Sequence, residues 1–145
     1  MSEDLLENIA EGEVYTVRTI VISTVFGGLL GGSYMIYQNF KKFGEPKKAI
    51  ATLIISIFTL LGIIASAFSP QLEKIPGLVY TVVIGVAVSI LTKKYQGELI
   101  EKHIAANGKI YSSGRAVVIS IISILLILAF AMGIFLLQDA IVSNR

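Results

Sequence analysis

The stretch Thr19–Phe40, TIVISTVFGGLLGGSYMIYQNF, decides how the chain is read. It holds no Asp, Glu, Lys, Arg or His. About 20 apolar residues in an α-helix cross a bilayer core of about 30 Å, and one central charge costs a few kcal/mol. Three further stretches are equally free of charge: Ala49–Phe68, Ile75–Leu91 and Ala116–Leu137. Of the 145 residues, 54% are hydrophobic and 15% charged, and the charges all lie between or outside these stretches. The pattern predicts an all-α, integral membrane four-helix bundle forming one transmembrane domain over 1–145. It argues against a domain folded in water.

The third stretch is the short one. Its seventeen residues reach only about 25 Å. Lys93 and Lys94 can snorkel to the headgroups and Tyr80 can sit at an interface, which eases the mismatch. A re-entrant segment at Ile75–Leu91 is the alternative, and the side of the C-terminus turns on the choice.

Basic residues set the expected orientation. Lys41, Lys42, Lys47 and Lys48 flank a single Glu45 after the first stretch, and Lys93, Lys94, Lys102, Lys109 and Arg115 follow the third. With four crossings both connections share a face, and cytoplasmic loops carry the excess of Lys and Arg. The sequence therefore predicts a multi-pass protein of a bacterial inner membrane with basic connections in the cytoplasm and both termini outside. The first fourteen residues carry Glu3, Asp4, Glu7, Glu11 and Glu13 and no basic residue, unlike a cleavable signal peptide. The first stretch then reads as a retained anchor. Ser2 can cap a short helix bearing Leu5, Leu6 and Ile9, either a surface helix or a docking arm for a basic partner.

Gly27, Gly28, Gly31 and Gly32 form two overlapping GxxxG pairs, and Ser23 and Thr24 extend both rows by a turn. Residues four apart share a helix face, and small side chains let backbones approach in lipid. The rows predict tight helix packing, within the chain or at a homodimer face. Thr81, Gly85 and Ser89 repeat the pattern in the third stretch, with shorter pairs at Gly62–Ser66 and Ala129–Gly133. A phosphate-binding glycine loop is rejected, because no strand precedes these glycines. The connection 92–115 predicts a short cytoplasmic amphipathic helix, with Tyr95 and Leu99, and Ile100 and Ile104, four apart. Asn107-Gly108 would end it, and Ser112 or Ser113 would cap the last helix.

Chemistry-bearing clusters are missing from this pattern. His103 is the sole histidine and cysteine is absent, a poor metal donor set. Glu98 and Glu101 have Lys94 and Lys102 beside them and no evident pocket to raise a pKa. Ser120 and Ser123 have no base in reach of the sequence pattern. The expectation is a non-enzyme with no catalytic residue, metal or cofactor.

The run GGLLGGSYMIYQNFKKFGEPKKA (Gly27–Ala49) resembles a pattern in small four-span bacterial inner-membrane proteins: a Gly-rich first span, an Asn-Phe-Lys turn, then Gly-x-Pro and basic residues. Gln96, Ile100, His103, Gly108 and Ser113 are similar to a second block of that group. The resemblance implies four spans and transfers no activity. It draws attention to Asn39, Gln96 and His103 as a candidate cytoplasmic recognition surface. The functional expectation is a membrane subunit acting through helix–helix contacts, with lipid and another membrane protein or a second copy as partners and no nucleic acid. The alternatives are an oligomeric channel or exporter subunit and a membrane immunity protein against a toxin.

Overall fold

A computed structural model describes residues 12–66, 69 and 74–143. The expected Ser2 helix and most of the connection containing Pro70 lie outside these residues. The described chain is helical apart from one two-stranded pair, and four of its helices are long and apolar enough to cross a membrane.

The order is β1 (Glu13–Val14), α1 (Val17–Lys42), α2 (Pro46–Ser66), α3 (Gly77–Thr92), a π-helical turn (Lys93–Gly97), α4 (Glu98–Ala105), β2 (Lys109–Ile110) and α5 (Ser113–Ser143). Local signals set most boundaries. Thr16 caps α1 by accepting the Thr19 N–H at 3.2 Å. Pro46 occupies the first position of α2, where its missing N–H costs nothing. Asn107, in the left-handed region at φ 59°, ends α4, and the Gly108 N–H closes back on the His103 carbonyl at 2.9 Å.

The main departure from the sequence reading lies in α1. Twenty-six residues of straight helix would span about 39 Å. Yet the Tyr15 N–H donates to Asn39 Oδ1 at 2.8 Å, and a Cβ on Gly12 would sit 3.3 Å from Lys42 Cε. A Cβ on Gly32 would lie 3.3 Å from the Ile20 carbonyl oxygen, twelve residues earlier. The helix folds back on itself at Gly28, whose φ of 71° and ψ of −178° interrupt it. Only glycine enters that region readily, because a Cβ would clash with the backbone. α1 is thus a helical hairpin with a descending arm, 17–27, and a returning arm, 29–42.

This hairpin is the hub. α1 packs against α2, α3 and α5, whereas those three make few contacts with one another. Half of the apolar window of α1 is buried, against 11% for α2, 17% for Gly77–Ala105 and 6% for α5. The core (Ile20, Met35, Ile36, Phe40, Ala49, Val88 and Ala116, with Tyr15) gathers around the two arms.

Folding back also moves the N-terminal segment. β1 pairs in parallel with β2, Glu13 opposite Lys109 and Val14 opposite Ile110. Residues 12–15 therefore lie at the same end of the bundle as both basic connections. Four straight helices would put these residues at the other end of the bundle; the hairpin returns the chain to the end where β2 lies.

Candidate functional site

The polar groups that meet in this fold lie at the base of the hairpin. Asn39 is the hub and is fully buried. Its Oδ1 accepts the Tyr15 N–H and its Nδ2 donates to the Tyr15 carbonyl, both at 2.8 Å. One side-chain amide thereby satisfies both backbone groups of the residue leading into α1, as a neighbouring strand would. Asn39 Nδ2 also lies 3.2 Å from Gln96 Oε1, and Gln96 Nε2 donates to the Ile36 carbonyl at 2.9 Å. Gln96 sits in the π-helical turn, whose extra residue per turn shifts the register of side chains between α3 and α4.

His103 is buried too, with Nε2 2.9 Å from the Lys109 carbonyl. Gly108 lies against its ring so closely that a Cβ there would overlap it. The Tyr15 ring packs on Tyr111 with centroids 4.2 Å apart, and the Arg115 guanidinium lies 4.1 Å from the Tyr111 centroid. Burial pushes the Tyr15 phenol above its ordinary range, with the Arg115 charge pulling the other way, so the hydroxyl stays protonated at neutral pH. The ladder Tyr15–Tyr111–Arg115 and the Asn39 clamp together hold β1 in place.

Asn39, Gln96 and His103 were expected as an exposed recognition surface. All three are buried and hydrogen-bonded inward, so that expectation is corrected on exposure. Asn39 and Gln96 do come together; His103 anchors the β2 connection instead. A polar side chain flanking an apolar stretch has two outcomes, water or an internal partner, and sequence spacing does not choose between them.

The glycines divide into three roles. A Cβ on Gly27 would sit 2.5 Å from Ser120 Cα, so its bare face admits the α5 backbone. Gly31 faces Ser23 and Ser123, and Gly32 faces Thr24 and Ile20 across the hairpin. Gly28 is the fold-back point itself, with a Cβ there meeting Ile127 at 2.7 Å. The serine and threonine expected to extend the glycine rows along one helix instead lie opposite them. Gly85 makes an ordinary contact, 3.4 Å from Val25 Cγ2. Hydroxyl pairs stitch the arms to their neighbours: Ser23 with Ser120 at 2.8 Å, and Ser56 with Ser33.

A cleft of about 430 Å³ runs between the returning arm, α2 and α3. Its walls are mostly apolar, with Lys48 and Tyr95 toward the basic end and Thr92 and Ser56 further in. Nothing in the residue pattern marks it, because it exists only where α2 and α3 stand apart. Among the described residues no three His, Cys, Asp or Glu side chains converge on a metal geometry. Comparison of the chain with known protein families, curated proteins and solved structures gives no match. The fold itself defines the class: an all-helical protein with four helices suited in length and composition to a membrane, the first of them folded back on itself.

Proposed function

We propose that the chain is a non-enzymatic multi-pass membrane protein that serves as a subunit of a membrane assembly. In this reading α2, α3 and α5 cross the bilayer, and the α1 hairpin dips in from the basic face and returns. Non-helical backbone at membrane depth is tolerated where protein buries it, and Gly28 lies between its own arms and α5. The basic end faces the cytoplasm of a bacterial inner membrane. The carrying observation is the division of surface. The hairpin buries half of its apolar window inside the chain, while α2, α3 and α5 bury far less and leave large side chains such as Phe58 (70% exposed) and Leu78 (74% exposed) outward. Such faces meet lipid or other helices. A photo-crosslinking residue at Phe58 or Leu78 in native membranes is expected to trap a protein of discrete mass. Lipid adducts alone at both positions would overturn the subunit role.

A second reading is a pore subunit. Its support is the broken helix with the pairs Ser23–Ser120 and Ser33–Ser56 beside its arms, since hydroxyls and freed carbonyls can line a permeation path. Liposomes holding only this protein are then expected to conduct, and silence across several ions would overturn it.

A further inference from the structure

The cleft beside the returning arm has the features of a ligand site. Its volume of about 430 Å³ falls within the roughly 300–1,000 Å³ of small-molecule sites. Along α2 it extends from Lys48 to Thr59, about 16 Å at the helical rise. No residue of α5 lines it, and α2 and α3 make few contacts with one another. At the far end the Ser66 and Tyr80 hydroxyls approach to 3.4 Å and draw the two helices together.

Two observations indicate what fills it. Thr24, Thr52, Thr59 and Thr81 each donate a hydroxyl to the carbonyl four residues earlier. Thr92 does not: it is 2% exposed, lines the cleft, and its Oγ1 has no hydrogen-bond partner among the described residues. An unsatisfied buried hydroxyl is costly, and a ligand oxygen would relieve it. The second observation is charge at the basic end. Lys48, paired with Glu45, lines the cleft, and Tyr95 carries the Lys94 ammonium 5.7 Å from its ring centroid. Apolar walls, a buried hydroxyl and then ammonium groups match an acyl chain, an ester oxygen and a phosphate in order.

We propose that this cleft binds one acyl chain of an anionic phospholipid, with the Thr92 hydroxyl donating to an ester oxygen and Lys48 facing the phosphate. The site rests on the membrane reading above. The test is native mass spectrometry of the full chain in mild detergent, titrated separately with phosphatidylglycerol, phosphatidylcholine and lauric acid. One phosphatidylglycerol is expected to stay bound per chain in preference to phosphatidylcholine. Ala87→Phe, which fills the cleft, is expected to weaken it about tenfold or more. Lys48→Gln is expected to cost about fivefold for phosphatidylglycerol and clearly less for phosphatidylcholine, whose choline offsets the phosphate charge. Thr92→Val, an isosteric change that leaves the packing intact, is expected to cost about fivefold for both. Equal binding of the two phospholipids, wild-type binding by Ala87→Phe, or binding of lauric acid alone would overturn the site. A chain that stays in the aqueous fraction without detergent would overturn the membrane reading first, and so is distinguishable.

Discussion

At the scale of single residues, two positions carry disproportionate weight for opposite reasons. Gly28 holds a backbone conformation that an L side chain reaches only at about 1–3 kcal/mol of strain. Ile127 also stands in the way of a Cβ there. Gly28→Ala is therefore expected to lower thermal stability in detergent by at least that amount, whereas Gly44→Ala meets no neighbour within 4 Å and should suffer from its positive φ alone. A differential scan of both variants checks the ordering. Asn39 matters through hydrogen bonds. Asn39→Leu would leave the Tyr15 N–H, the Tyr15 carbonyl and Gln96 Oε1 without this partner, each loss costing about 1–3 kcal/mol if the group stays buried. The Tyr15 amide should then exchange with deuterium far faster than in the wild type, because the segment lifts into water instead of remaining unsatisfied. Asn39→Asp should speed that exchange less than Asn39→Leu, since a carboxylate still accepts the Tyr15 N–H but cannot donate to the Tyr15 carbonyl or Gln96 Oε1.

At the scale of elements, the hairpin makes a geometric claim that a straight helix cannot imitate. Glu13 and Lys109 are direct partners in the β1–β2 pair. The chain has no cysteine of its own, so a Glu13→Cys/Lys109→Cys double variant offers an unambiguous pair. Neighbouring strands bring Cα atoms within disulfide reach, about 4.4–6.8 Å. Oxidation is expected to give an intramolecular disulfide in high yield, read as a mobility shift that a reductant reverses. A single straight first helix of about 39 Å would separate these residues too widely for any bond. The hairpin also explains why Ser23 and Thr24 are small and polar. They face Gly31 and Gly32, and their hydroxyls are used there, Thr24 Oγ1 donating to the Ile20 carbonyl and Ser23 Oγ pairing with Ser120 Oγ.

At the scale of the whole molecule, folding back changes the parity of the chain. In the proposed arrangement, with α2, α3 and α5 as the crossings, residues 12–15 and the far end of α5 lie on opposite faces. Single cysteines at Glu13, Gly44 and Lys109 are expected to react with an impermeant maleimide from one side of sealed vesicles, and one at Ser143 from the other. Labelling of Glu13→Cys together with Ser143→Cys would refute the arrangement.

The amino-acid sequence alone is enough for the four long apolar helices and most of their ends. Runs free of charge, Pro46 at a helix start and Asn107-Gly108 at a helix end are local signals, and local signals are legible one residue at a time. It also marked the glycines as sites of close approach and singled out Asn39 and Gln96. What the glycines approach and where those amides point depends on packing between distant segments. A GxxxG row reads the same whether its helix runs straight or folds at one glycine, because the periodicity on each side of the break is unchanged. The choice rests on contacts between residues far apart in sequence, Tyr15 with Asn39 and Gly27 with Ser120, and the same is true of the cleft, which α2 and α3 form by standing apart on either side of the hairpin.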